Sequence, residues 1–186
     1  MTGDILKQGR YKMLRKLFVI LMILTLPAAF IAAAKGWHVC GLSVAGSDGK
    51  VLFQAPVPYS FRFTTSYIHS VELTPVEDEY AVADGRIWPW QERVKSSNAG
   101  MPSLKPERGL YISSAEWLIF QGGRTASERF FLRVGNAKFG RNKLRIPPFG
   151  EVSLFELIPG KRVAVEASRE LFANSAVKES LGLLKK

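Results

Sequence analysis

The sequence predicts a mainly β protein, an antiparallel β-sandwich or a partly open barrel, with a helix at each end. Short runs of alternating apolar and polar residues indicate half-buried strands, and the clearest run covers residues 61–69. Pairs of turn-forming residues separate the runs, at positions 48–49, 84–85, 122–123 and 159–160. An uncharged apolar segment, residues 17–34, precedes all of them.

The predicted strands are short and closely spaced, which is typical of antiparallel sandwiches and open barrels. Pro56 and Pro58 end the first apolar run, and Thr74 and Pro75 interrupt the alternation that follows His69. We expect strands at residues 51–53, 61–69, 87–94, 110–113, 117–120, 130–134, 152–157 and 162–167.

Residues 17–34 predict a transmembrane helix, because eighteen uncharged residues in helical form span roughly 27 Å, about the thickness of the bilayer core. The basic residues of segment 1–16 precede it. The positive-inside rule therefore places that segment in the cytoplasm and the β domain, residues 35–167, on the opposite side. A cleaved signal peptide is the alternative, since residues 32–34 are alanines of the kind that signal peptidase accepts.

The C-terminal segment, residues 168–186, predicts an amphipathic helix that begins at the N-cap candidate Ser168. Its apolar stripe comprises Leu171, Phe172, Ala176, Leu183 and Leu184. The stripe would pack against the β domain, or it would lie on a membrane surface or a partner.

Composition excludes several classes of protein. Hydrophobic residues make up 47% of the chain and charged residues 23%, which is typical of a globular protein. The net charge is +10, but lysine and arginine are scattered rather than gathered in a stripe with aromatics, so we predict no nucleic-acid binding. Cys40 is the single cysteine, so the chain cannot form an internal disulfide.

His69 is the strongest candidate for a residue that takes part in chemistry. It lies near Glu72, Glu77 and Glu79 in sequence, and an imidazole beside carboxylates can bind a metal or move a proton. One histidine offers too few ligands for a convincing zinc site, so we expect no metal, no cofactor and no catalytic residue. The structural alternative is that His69 and Glu72 hydrogen-bond to the backbone of the turn before Pro75.

The Trp88-Pro89-Trp90 run is a second unusual feature. Proline within an apolar stretch indicates an edge strand or a bulge, because it cannot donate to the ladder. Tryptophans on such an edge would anchor a partner or dip into a membrane interface. Packing of at least one of them in the core is the alternative.

Two sequence blocks resemble the signature of domain-of-unknown-function family 1850. The pattern Tyr-x-His-Ser-Val-Glu, then Pro-Val-x-x-Glu, occupies residues 67–79, and a block similar to the family's glycine-rich run occupies residues 98–102, with Asn98 where the family prefers glycine. The resemblance extends from about residue 37 to about residue 167. The matching positions are His69, Ser70, Val71, Glu72, Pro75, Val76, Glu79, Gly100 and Pro102.

The resemblance implies a partner rather than a reaction. Members are small envelope proteins whose genes accompany the membrane component of TAXI-type tripartite ATP-independent periplasmic (TRAP) transporters, which import organic acids or amino acids. We therefore expect a non-enzymatic accessory protein whose partners are the transporter's membrane subunit and its substrate-binding protein. It would cross the bacterial inner membrane once through residues 17–34, with a cytoplasmic N-terminus and a periplasmic β domain.

The alternative is a periplasmic small-ligand or metal-binding module centred on His69. Either way, the sequence predicts that the residues of the family blocks act in structure or in contacts with a partner.

Overall fold

A computed structural model describes residues 38–98 and 100–171, together with residues 15, 16, 19, 22, 23 and 25; for residues 38, 170 and 171 it describes the backbone only. The chain divides into two compact units, of which Val39–Glu170 is the β domain. In the other unit, the six described residues between positions 15 and 25 are helical. None of the helices within the described residues has both the length and the apolar character needed to cross a membrane.

The β domain consists of short strands joined by tight turns, with a single helical turn near its end. The described elements are β1 (His38–Gly46), β2 (Val51–Val57), β3 (Phe61–Ile68), β4 (Pro75–Ala83), β5 (Arg86–Val94), β6 (Gly109–Ser113), β7 (Leu118–Gly122), β8 (Arg129–Arg133), β9 (Gly140–Ile146), β10 (Gly150–Ser153), α1 (Leu154–Leu157) and β11 (Arg162–Leu171).

The strands form two antiparallel sheets. The small sheet has the order β2-β1-β11-β8, and the large sheet has the order β10-β9-β3-β4-β5-β7-β6. The strand pairings run antiparallel, which confirms the predicted mainly β, antiparallel fold. Within the described residues neither sheet closes on itself into a barrel.

One apolar cluster unites side chains of both sheets. Alternate residues of the small sheet, such as Leu42 and Val163, are buried in it together with Phe63 and Tyr80 of the large sheet. The Tyr80 ring stacks on Phe63, with 5.0 Å between centroids, and on Phe130 of β8, at 4.7 Å. This aromatic stack therefore joins the two sheets directly, and each ring pair adds about 0.5–1.5 kcal/mol beyond the burial of its area.

The β4–β5 hairpin confirms the turn predicted at residues 84–85. Asp84 and Gly85 have φ values of 52° and 71°, and two consecutive positive values are the mark of the type I′ turn that suits the twist of a hairpin. A Cβ on Gly85 would lie 2.9 Å from the backbone nitrogen of Arg169. Glycine is thus required here by both the turn and the neighbouring strand.

Three strands were not predicted, namely β1, β4 and β9. Pro75 does not interrupt the sheet; it is the first residue of β4, where the missing N–H is tolerated. Pro56 likewise lies inside β2, which is an edge strand of the small sheet and can leave one backbone position unpaired.

Two predicted boundaries were wrong. The predicted strand at residues 152–157 ends at Ser153, and Leu154–Leu157 form a helical turn that buries Leu154. The predicted C-terminal helix cannot begin at Ser168, because β11 runs on to Leu171 within the small sheet, beside the β4–β5 turn at Gly85. The rest of that predicted helix, residues 172–186, lies outside the described residues, as does most of the predicted anchor.

Phe63→Ala should reduce the free energy of unfolding of the full-length protein by about 3–5 kcal/mol, because Phe63 is 1% exposed and contributes to the aromatic stack. Urea unfolding followed by tryptophan fluorescence measures the change. Phe131→Ala is the matched control, since Phe131 is 56% exposed on β8 and its removal should cost well under about 1 kcal/mol. Equal losses in the two variants would contradict the role assigned to the stack.

Candidate functional site

Residues 69–74 join β3 to β4 in a closed turn. The backbone N–H of His69 donates to the carbonyl of Thr74, and the N–H of Leu73 donates to the carbonyl of His69, both at 2.9 Å. The imidazole completes the turn, because its Nδ1 atom accepts from the N–H of Glu72 at 3.1 Å and from that of Val71 at 3.4 Å. His69 thus caps the turn in the way that an aspartate or asparagine caps a helix.

The prediction that the Glu72 side chain hydrogen-bonds to the backbone of the turn was wrong. The Oε2 atom of Glu72 accepts from the hydroxyl of Ser96 at 2.9 Å, which ties the turn to the loop after β5. In that loop Gly100 has a φ of 85°, which only glycine adopts without strain, and Met101 packs on a small apolar cluster that includes Val76. Gly100 therefore contributes to the shape of this loop.

The turn also holds two exposed apolar side chains. Val71 is 70% exposed and Leu73 is 73% exposed. Leu73 has a φ of 55°, a left-handed conformation that costs a non-glycine residue roughly 1–2 kcal/mol. The surrounding hydrogen bonds therefore hold the strained backbone of Leu73, and the exposed side chain of Leu73 adds nothing to the core. Ser70 in the same turn is exposed as well.

The outer face of the large sheet, the face turned away from the small sheet, has a polar network across neighbouring strands. Glu79 of β4 accepts from Arg62 of β3 at 2.9 Å and from Gln91 of β5 at 2.8 Å. Glu79 lies opposite Thr64, five positions along β3 from His69, which is roughly 16 Å at the usual rise per residue. The structure therefore does not bring Glu79 to His69.

Trp88 and Trp90 lie beside this network. They are 46% and 40% exposed, so core packing is not their role. The guanidinium of Arg62 sits 4.1 Å from the ring centroid of Trp90, and a cation in that position holds the indole in place. We name these residues, with Glu79 and Gln91, the tryptophan face.

A β-bulge positions the tryptophan face. Glu79 pairs with Gln91 whereas Tyr80 pairs with Pro89, so Trp90 is the extra residue of β5. The predicted bulge is therefore confirmed. β5 as a whole is not an edge strand, because Gln91–Val94 also pair with β7, but the β7 ladder does not reach residues 88–90.

The opposite face of the same two strands carries two carboxylates that the sequence did not single out. Asp78 and Glu92 are direct cross-strand partners, with side chains 18% and 17% exposed. Arg124 bridges them through its Nη1 atom, at 3.2 Å from Asp78 and 3.5 Å from Glu92. Like charges directly opposite each other destabilise a sheet, and the shared guanidinium offsets part of that repulsion.

Burial shifts both carboxyl groups toward their neutral forms. Desolvation raises the pKa of Asp78, and Arg124 opposes the shift. Desolvation, followed by the negative charge of Asp78, raises the pKa of Glu92. A paired and desolvated carboxylate couple can share a proton, but within the described residues no three His, Cys, Asp or Glu side chains are grouped so as to hold a metal.

A comparison with protein families finds a match, and it covers the part of the chain that contains these sites. Residues 63–147 match the model of a family described as a domain of unknown function (DUF1850). Over these residues the chain matches the DUF1850 family. No curated protein and no solved structure matches the chain.

The DUF1850 match begins within β3 and ends just after β9, so it covers most of the large sheet. It includes the His69 turn, the Gly100 loop, the tryptophan face apart from Arg62, and the Asp78–Glu92 pair. The small sheet lies mainly outside it. Within the matched residues the predicted site residues form two separate groups, the turn with its loop and the tryptophan face.

His69→Ala should lower the free energy of unfolding by about 1–2 kcal/mol, because the half-buried N–H of Glu72 loses its acceptor. His69→Asn should recover part of the loss, since an asparagine oxygen can cap the same N–H. Urea unfolding of the full-length protein measures both variants. A loss of the same size in His69→Asn would show that imidazole packing, rather than the hydrogen bond, is what matters.

Glu92→Gln should be more stable than the wild type at pH 7. The folded-state pKa of Glu92 lies above its unfolded value, so the ionised group destabilises the fold, and that cost appears as pH rises from the unfolded pKa through the folded one. The advantage of the variant should therefore shrink as the pH is lowered below the ordinary glutamate pKa of about 4.3, because the carboxyl then becomes neutral in both states.

Thermal unfolding at several pH values measures this difference, and Glu77→Gln on the outer face of the same sheet controls for the loss of a charge alone. A Glu92→Gln variant that is less stable at pH 7 would mean that the ion pair with Arg124 outweighs the desolvation of the carboxylate.

Proposed function

We propose that this protein is a non-enzymatic docking module and that the tryptophan face is its binding surface. The proposal includes a β-sandwich anchored in the bacterial inner membrane by a transmembrane helix at residues 17–34, with the β domain in the periplasm. Its partners would be the membrane subunit or the substrate-binding protein of a TAXI-type TRAP transporter.

The exposure of Trp88 and Trp90, together with the contact that holds the Trp90 ring, is the observation that carries this proposal. Tryptophan is the residue most enriched among those that dominate binding energies, and interfaces gain when such side chains are rigid before binding. Arg62 holds the ring of Trp90, and Glu79 holds Arg62. The ring of Trp90 is thus offered to a partner at little cost in conformational entropy, and Trp88 adds a second exposed aromatic surface on the same strand.

The surroundings of the tryptophans support a protein partner. The polar network on the tryptophan face is satisfied internally, since both oxygens of Glu79 accept hydrogen bonds. A partner that covers the face would not leave these groups unpaired, because they already have partners within the sheet. An apolar centre beside a satisfied polar region is the usual composition of a binding surface.

The transporter enters the proposal through the family resemblance, and the sequence is compatible with it. The basic segment before residue 17 favours an N-terminus in the cytoplasm. A domain held at the outer surface of the inner membrane would meet both the membrane subunit and a substrate-binding protein that docks there.

Replacing Trp88 and Trp90 by alanine should weaken co-purification with the transporter's membrane subunit. Truncation of one such anchor typically costs about 2 kcal/mol, or roughly a thirtyfold loss of affinity. Quantitative pull-down from native membranes measures the loss, and circular dichroism checks that the double variant remains folded.

Phe131→Ala is the matched control, because Phe131 is an exposed aromatic on the small sheet. It should leave co-purification unchanged. A folded double variant that co-purifies at the wild-type yield would refute the tryptophan face as the binding surface. Wild-type protein that never crosslinks to the membrane subunit would refute the transporter as the partner.

A further inference from the structure

The free edge of β6 is the feature of the large sheet that the proposed function does not use. β6 is the last strand of that sheet, paired on one side with β7. Three consecutive apolar residues of this strand are exposed: Leu110 by 55%, Tyr111 by 44% and Ile112 by 44%. An uncovered apolar edge strand is a template for pairing with another chain.

The other edge strands of the described residues are each protected against such pairing. β2 contains Pro56, which has no N–H to donate. β8 has Arg129 and Arg133 at its two ends, which would face each other if two copies paired. β10 is four residues long and carries Glu151, which is ion-paired with Lys143. Proline, charge and short length are the usual protections of an edge, and β6, with the sequence Gly-Leu-Tyr-Ile-Ser, has neither proline nor charge.

The hydrogen-bond pattern shows which backbone groups of β6 face outward. The N–H of Ser114 donates to the carbonyl of Trp117, whereas the N–H of Gly109 turns away from β7 and donates to Pro106. Hydrogen-bonded and non-hydrogen-bonded pairs alternate along an antiparallel ladder. The N–H and C=O groups of Tyr111 and Ser113 therefore point out of the sheet at its free edge.

We propose that β6 is a self-association edge, to which a second copy of this chain adds its own β6 in antiparallel orientation about a two-fold axis at Tyr111. This register places Leu110 of each copy opposite Ile112 of the other. It also makes the two Tyr111 residues a reciprocal hydrogen-bonded pair. The large sheets of the two copies would then be continuous.

A second copy fits this edge because the strand is complementary to itself. A two-fold interface needs the same patch on both partners, and the five residues of β6 pair without bringing any two charges together. The apolar pair Leu110–Ile112 forms twice on one face of the sheet, and Tyr111 stands near Phe120 on the other, at 5.1 Å between ring centroids. The proposal is independent of the transporter, because it requires no other protein.

Cysteine trapping in the full-length protein tests both the pairing and its register. The native chain has a single cysteine, Cys40, which is buried, so the background of crosslinking is low. At the axis, Tyr111→Cys would bring its Cα to about 5.5 Å from its counterpart, within the range of a disulfide, about 4.4–6.8 Å. We expect a disulfide-linked dimer under mild oxidation.

Leu110→Cys and Ile112→Cys are the matched controls for register. Each alone would meet its counterpart at roughly 8 Å, from two residues of rise and one strand spacing, which is too far for a disulfide. Mixed together, the two variants should form a crosslinked heterodimer. Dimers from all three single variants in similar yield would indicate random collision and would overturn the proposal, as would the absence of dimer from both Tyr111→Cys and the mixture.

A charge at the edge gives a second, independent check. Ile112→Lys in the Tyr111→Cys background should abolish the crosslink, because it adds a desolvated charge to each half of the dimer, while the exposed position leaves the fold intact. Phe131→Lys in the same background, on the small sheet, should leave the crosslink unchanged. An unchanged yield with Ile112→Lys would show that β6 is not the contact.

Discussion

The register between β3 and β4 decides which side chains reach which face of the large sheet. Ile68 pairs with Pro75 next to the turn, and the ladder continues to the pair Phe61–Val82. A slip of one residue would bring Glu77 and Glu79 into the core and turn Tyr80 outward. The His69 turn fixes this register, because its hydrogen bonds set the number of residues between the strands. The aromatic stack and the tryptophan face both depend on it.

The sequence predicted the parts of the fold that local chemistry decides. The alternation around Phe63 identified β3, and the pair Asp84–Gly85 identified a hairpin turn. It did not predict β4, because Glu77, Asp78 and Glu79 are polar on both faces of that strand. The inward position of Asp78 becomes visible only when β4 is known to place Val76 and Tyr80 on the same side. The partners of Glu79 and of Glu72 come from distant strands and loops, which local patterns do not specify.

The two surfaces inferred here share the large sheet but differ in the way they would bind. Trp88 and Trp90 offer side chains whose orientation is set within the sheet, whereas β6 offers backbone groups. Binding at one would leave the other open, since β7 separates β5 from β6. A dimer formed through β6 would therefore present two copies of the tryptophan face to partners, and two linked sites bind more strongly than one.

The extra residue at Trp90 allows one strand to serve two purposes. Ile87 and Glu92 both face the inner side of the sheet, as their partners Val82 and Asp78 do, although an odd number of positions separates them. In a regular strand those two side chains would stand on opposite sides. The bulge reverses which alternate residues of β5 face inward. The strand can therefore supply an apolar residue to the inner face at one end and a carboxylate at the other. Any relative that lacks this insertion would have to exchange the inner and outer chemistry of half of the strand.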